Sequence, residues 1–111
     1  MSLPMPTGDG LVLALATLAN PHRLRVVAAL VRERNYVSEL ARELGISRAL
    51  LQVHLRKLEH AGLVTSQLEL SPDGKAMKFY EVTRFHLDLT PESVANAVRT
   101  LSPRQSEKGT P

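Results

Sequence analysis

Residues 47–62, SRALLQVHLRKLEHAG, constrain this chain more than any other stretch. They predict one helix. Ser47 is a good N-cap, because its hydroxyl can accept a hydrogen bond from an unpaired backbone N–H of the first turn. Gly62 suits the left-handed position that commonly ends a helix. At about 100° per residue, Leu51, Leu55 and Leu58 fall on one stripe with Gly62 below them. The opposite side carries Ala49, Gln52, Val53, Arg56 and His60, with Arg48 beside it at the first turn. The first stripe is suited to burial. The second mixes long hydrogen-bonding groups with two small apolar ones and is suited to contact. An ordinary amphipathic helix whose polar side meets only water has the same periodicity.

The residues upstream favour contact. Residues 37–44, VSELAREL, predict a shorter helix with Leu40, Ala41 and Leu44 facing inward. Gly45-Ile46 forms a tight link, and Ile46 is placed to plug the gap between the two helices. A short helix, a Gly-containing turn and a longer helix make a helix-turn-helix pattern. In that pattern the second helix lies in the DNA major groove. Ser38 starts the first helix of the pair and joins the candidate DNA contacts.

With 111 residues the chain is sized for one domain. Aromatics are 4% and there is no Trp, so the core must be aliphatic, which suits packed helices. A net charge of +3 is a mild basic bias, compatible with nucleic acid. Its distribution says more: Arg48, Arg56 and Lys57 cluster on the long helix, and Lys75 and Lys78 sit near a later turn. The absence of cysteine excludes disulfides, thiolate metal sites and thiol redox sensing within this chain. No apolar run approaches the roughly 18 residues of a membrane span. The start, MSLPMPTG, lacks the layout of a signal peptide, so a cytoplasmic location is expected.

In chain order, residues 1–8 are expected to be flexible, residues 9–101 to form the folded domain, and residues 102–111 to be a disordered polar tail. Asp9 can begin a first helix. Residues 11–18, LVLALATL, are apolar almost all round, as expected of a helix covered on several sides. A partner subunit accounts for this in so small a chain; complete burial in its own domain is the alternative. Asn20-Pro21 marks the next helix start. That helix is expected to run to about Arg34, with Leu24, Val27, Ala28 and Val31 sharing one face.

After Gly62 the period changes. Residues 63–70 and 75–83 partly alternate, and Ser71-Pro72-Asp73-Gly74 between them is strong turn chemistry. This predicts a β-hairpin, with Met77, Phe79 and, by alternation, Glu81 on one side. A hairpin directly after a recognition helix is a wing. Lys75 and Lys78 are its candidates for phosphate contact; a hairpin that only covers the core, with solvated lysines, is the other reading. Thr90-Pro91-Glu92 starts a last helix carrying Val94, Ala95, Val98 and Leu101 on one stripe. The expected fold is therefore mainly α with a small β-hairpin, a winged helix-turn-helix of four helices, two strands and a fifth helix.

These residues resemble the ArsR/SmtB-type winged-helix regulators. Leu18-Ala19-Asn20-Pro21-His22-Arg23-Leu24-Arg25-Val26-Val27 is similar to the family's "LADPTRLRIL" opening. Val37-Ser38-Glu39-Leu40-Ala41 and Leu44-Gly45-Ile46-Ser47 match its helix-turn-helix, and His54-Leu55-Arg56-Lys57-Leu58 with Ala61-Gly62-Leu63-Val64 matches its "HLxxLxxAGLV" close. The resemblance covers roughly residues 11–101, and parts of it are shared with MarR-like and archaeal regulators. It implies a homodimeric repressor whose first and last helices pair about a two-fold axis. Leu11, Val12, Leu15, Leu18, Val94, Val98 and Leu101 are the expected dimer interface. A two-fold dimer implies an inverted-repeat operator in double-stranded DNA. The family often has Ser where this chain has Gln52. Gln can bond an adenine edge, Arg56 or Arg48 can reach guanine or phosphate, and Val53 can touch a thymine methyl. The resemblance also places Arg23 where the family tends to use a buried ion pair, with Glu59 as a possible partner.

The departures bear on sensing. Members that sense metal use cysteines on the first helix of the pair, or Asp and His on the last helix. This chain has no cysteine, and no His in residues 90–101. His22, His54, His60 and His86 are spread along the chain; His86 with Asp88 would need ligands from elsewhere. No metal or other cofactor is expected, and any small-molecule effector is unreadable. Catalytic triads, Gly-rich phosphate loops and clustered carboxylates are absent from the sequence, so an enzyme is not expected. The leading expectation is a sequence-specific repressor that is a cytoplasmic homodimer. The other is a winged-helix protein-interaction module within a larger assembly.

Overall fold

The computed structural model describes residues 7–103. Helix α1 (Gly8–Leu18) is followed by α2 (Pro21–Arg32), a short strand β1 (Asn35–Tyr36), α3 (Val37–Leu44) and α4 (Arg48–His60). Strands β2 (Val64–Leu70) and β3 (Ala76–Val82) form the wing, and α5 (Pro91–Val98) is the last helix among the described residues. No helix is long and apolar enough to cross a membrane among the described residues.

The helix starts are set by local chemistry. The Asn20 side chain accepts from the backbone N–H of Arg23, ahead of Pro21 in the first turn. Ser47 Oγ accepts from Leu50 N–H at 3.0 Å. Thr90 and Ser93 form a reciprocal capping box, each side chain satisfying the other's backbone N–H. Between α3 and α4 the chain turns on Gly45, at φ 71°, whose N–H donates to Ala41 O at 2.8 Å. A side chain is strained there, as at Gly62 with φ 77°.

Several boundaries differ from the sequence expectation. Thr7, rather than Asp9, caps α1, and Gly8 is helical and buried. Ser102, expected in the tail, donates its hydroxyl and its backbone N–H to the Asp9 carboxylate. The remaining residues of both expected loose ends, 1–6 and 104–111, lie outside the described residues. Helix α5 ends at Val98, and residues 99–101 continue as tight turns bonded three residues back.

Helix α2 stops at Arg32 because the chain then extends into β1. That strand was not expected. It pairs antiparallel with β3, Asn35 opposite Tyr80 and Tyr36 opposite Phe79, so the wing is part of a three-stranded sheet in the order β1-β3-β2. The hairpin itself runs in register from Val64 opposite Val82 to Leu70 opposite Ala76.

The core lies where α2, α3, α4 and the base of the sheet meet. Val26, Leu30, Leu40, Leu51, Leu55, Leu58, Leu63, Val64 and Tyr80 are buried together there. On α2 the face expected from the spacing is not the buried one. The buried residues there are Val26, Ala29 and Leu30, while Leu24 and Val31 are exposed. On β3, Tyr80 turns into the core, and Met77 and Phe79 lie half-buried on the other side. Apolar residues crowd α2 so densely that two adjacent stripes have the same period, and packing against α4 selects one of them.

Candidate nucleic-acid interface

The inward stripe of α4, Leu51, Leu55 and Leu58, is fully buried and fixes the helix by its packing. That leaves Arg48, Ala49, Gln52, Val53, Arg56 and Lys57 exposed along its outer surface, as the sequence predicted. Ser47 is exposed at the helix start, its oxygen engaged in the cap. Ser38 is half-buried in the first turn of α3. Leu50 is also exposed on α4, and nothing in the periodicity singled it out. The ion pairs among the described residues join Arg32 to Glu43, Arg34 to Glu69 and Arg42 to Glu39. None engages Arg48, Arg56 or Lys57, so their charge is available to an anionic partner.

The wing presents its two lysines differently. Lys75 is exposed beside the turn, its backbone N–H held by Ser71 Oγ at 3.1 Å. Lys78 Nζ lies 5.5 Å from the centre of the Tyr80 ring, which attracts the ammonium toward the sheet. The outer half of the wing is braced by a contact the sequence did not reveal. The Arg34 guanidinium stacks 4.5 Å over the Phe79 ring and grips both oxygens of Glu69, and Tyr36 packs edge-on against Phe79 at 5.6 Å. The hydrogen bonds from Arg34 hold the Glu69 carboxyl below its ordinary value.

Behind α4 a second polar cluster joins three helices. Arg23 Nε donates to Thr17 O at 2.6 Å, and its Nη1 lies 3.3 Å from His54 Nδ1. Arginine only donates, so Nδ1 accepts and the neutral ring carries its proton on Nε2. That Nε2 is buried without a partner among the described residues. Glu59 is not the partner of Arg23; it accepts instead from the Ser66 hydroxyl at 2.8 Å. Burial lowers the His54 pKa from its ordinary 6.5, with further lowering from Arg23, His22 and Lys57. The His22 ring is 5.2 Å away.

The sign of the resulting pH dependence is fixed. Below pH 6.5 the unfolded chain takes a proton on this ring that the folded chain resists, so stability falls as the solution is acidified toward the folded pKa. Urea unfolding between pH 7.5 and 5 is expected to show this decline, and His54→Gln to flatten it. A wild-type stability that rises on acidification through this window would contradict the assignment.

The outer helices carry the second group of candidate residues. Val12 and Leu15 on α1, Val94 and Val98 on α5, and Leu101 just beyond it are all exposed. Leu11 is buried, and Leu18 is half-buried where it packs against the core, so these two do not belong to the open surface. Helix α5 buries none of its residues. It meets α1 closely at one end: Gly8 N–H donates to Thr100 Oγ1 at 2.7 Å, and a Cβ at Gly8 would come within 2.3 Å of Ala97 O. No group of three or more His, Cys, Asp or Glu suited to a metal ion occurs among the described residues.

Comparison with known proteins agrees with this geometry. A helix-turn-helix domain family matches residues 18–67. An uncharacterised helix-turn-helix-type transcriptional regulator of Methanocaldococcus jannaschii is 40% identical over 68 residues, which span 61% of this chain and 70% of that protein. The transcriptional regulator HlyU from Vibrio vulnificus is 27% identical, with a TM-score of 0.56 over 79% of this chain and 80% of that one. A homodimeric winged helix-turn-helix DNA-binding domain from Mycobacterium bovis shares the fold at 23% identity, with a TM-score of 0.60 over 79% of this chain and 70% of its own. With the paired helices, the wing and the "AGLV" close all in place, the chain belongs to the ArsR/SmtB-type winged helix-turn-helix transcriptional regulators.

Proposed function

We propose that this regulator represses transcription by binding an inverted-repeat operator in double-stranded DNA as a homodimer in the cytoplasm. The carrying observation is the outer surface of α4, where exposed cations without internal ion pairs flank Gln52 and Val53. Gln52 and Arg56 read base edges, Val53 and Ala49 approach thymine methyls, and Ser38, Ser47, Arg48 and Lys57 fix the backbone. Lys75 and Lys78 add phosphate contacts from the wing. The open apolar surfaces of α1 and α5, with Val12, Leu15, Val94, Val98 and Leu101, supply the dimer contact. The M. bovis domain that shares this fold is itself homodimeric. No metal or other cofactor enters this mechanism.

Selection of genomic fragments by the purified protein, followed by binding titrations at varied salt, tests the reading. Gln52→Ala and Arg56→Ala are each expected to relax preference at one base pair, at a cost of about 1–3 kcal/mol against the cognate site. Lys75→Ala is expected to weaken all sequences alike and to flatten the log–log salt slope by about 0.9. A changed base preference in Lys75→Ala, with nonspecific affinity intact, would reverse the assigned roles. A monomer without DNA preference would instead favour the protein-interaction module.

A further inference from the structure

We propose that the cleft between α1 and α4 binds a small carboxylate with an apolar body, and that this ligand releases the regulator from DNA. The proposal rests on the DNA-binding reading of α4. The cleft has a volume of about 620 Å³, within the range of small-molecule sites. Leu13 and Ala16 of α1 and Val53 of α4 give it an apolar wall, while Arg23, Arg56 and Lys57 give it positive charge. No Asp or Glu lines it.

This composition selects the ligand. A bare anion would leave Leu13 and Val53 wetted, as they are now, at 37% and 39% exposed. A neutral apolar molecule would strip water from three cations without replacing it, which is costly. A carboxylate joined to an apolar body satisfies both walls. Arg23 is already oriented, because Thr17 O and His54 hold its Nε and Nη1. A preset guanidinium pairs well with a carboxylate through parallel hydrogen bonds. The Thr17 hydroxyl is bonded to Leu13 O at 2.7 Å, so it does not compete for the ligand.

Coupling to DNA follows from shared residues. Val53, Arg56 and Lys57 line the cleft and are also proposed DNA contacts. A carboxylate held by Arg23 brings its negative charge beside Arg56 and Lys57, which line the same cleft, and offsets the charge that phosphates and bases would meet. Ligand and operator therefore compete, and the ligand acts as an inducer.

Sodium decanoate is the probe, with 1-decanol as its uncharged counterpart, both titrated calorimetrically into the full chain without DNA. Two variants lie outside the proposed DNA and dimer contacts: Ala16→Phe fills the cleft, and Leu13→Ser removes part of its apolar wall. Saturable decanoate binding below about 1 mM is expected, with 1-decanol at least about tenfold weaker. Both variants are expected to weaken decanoate by about tenfold or more while keeping operator affinity within about threefold. Decanoate should displace operator DNA from the wild type and not from Ala16→Phe. Absence of saturable binding, equal binding by 1-decanol, or undiminished binding by both variants overturns the site. Binding without displacement overturns the regulatory coupling. Because the ligand titration contains no DNA, failure of the wild type to bind any operator would overturn the DNA reading and leave the cleft to be decided separately.

Discussion

A chain carrying Leu15→Asp and Val98→Asp is expected to sediment as a monomer and to bind its operator about a hundred-fold or more weakly. Both positions are exposed, at 38% and 56%, and neither belongs to the buried core of its own protomer. Each would place a carboxylate in an apolar contact without a partner, and an unpaired buried charge is strongly destabilising. Helical circular dichroism and the thermal midpoint of the protomer should change little. The loss in DNA affinity follows from the linkage of two half-sites. A dimer's second recognition helix binds intramolecularly, at an effective concentration that raises affinity by about 10²–10⁴. The variant should keep its affinity for an isolated half-site. Persistence of the dimer in the double variant would move the interface away from α1 and α5.

Leu55→Ala is expected to lower the unfolding free energy by about 2–5 kcal/mol, as measured by urea titration. Leu55 is fully buried among Val26, Leu40, Leu51 and Tyr80, where α4 joins α2, α3 and the sheet. The cavity would open at a junction of several elements, which limits its collapse. A small domain with a total stability of about 5–15 kcal/mol cannot absorb that change quietly. The thermal midpoint should fall by more than about 8 °C. Val53→Ala, two residues earlier on the exposed side, should change stability by about 0.5 kcal/mol or less. The pair of variants separates the helix's supporting stripe from its contacting face. Equal destabilisation of both would mean that α4 is packed differently.

The periodicity of α4 was legible because Leu51, Leu55 and Leu58 repeat at helical spacing through its length, while Arg48, Gln52, Arg56 and Lys57 fill most of the remaining surface. Its ends were legible because Ser47 and Gly62 have specific backbone preferences. Helix α2 was not legible in the same way. Val26, Val27, Ala28, Ala29, Leu30 and Val31 offer apolar residues in nearly every direction, so only the tertiary contact distinguishes Leu30 from Val31. Strand β1 was hidden for a related reason. Two residues carry no period, and Asn35–Tyr36 is a strand only because β3 lies beside it. Which side of β3 faces the core was not legible, because Phe79 and Tyr80 are both credible core residues. The Arg34 contacts with Phe79 and Glu69 lie on the side away from the core. In the polar clusters, Arg23 was noticed, but its acceptors on α1 and α4 depend on a three-helix junction that spacing alone cannot place.

The contacts that tie α1 to the end of the chain span almost its whole length. Gly8 meets Thr100 and Asp9 meets Ser102 across separations of 92 and 93 residues. A loop so long is entropically slow to close, whereas the contacts within the helix pair and the hairpin are local. The joined outer surface of α1 and α5 is therefore expected to be finished late in folding, after the helix pair and wing, an order that hydrogen-exchange pulse labelling during refolding would check. A nascent or half-folded chain does not yet carry the complete surface proposed for pairing. With pairing through that surface as proposed, assembly would follow maturation in time, and a protomer meeting its partner would already have built α4 and the wing.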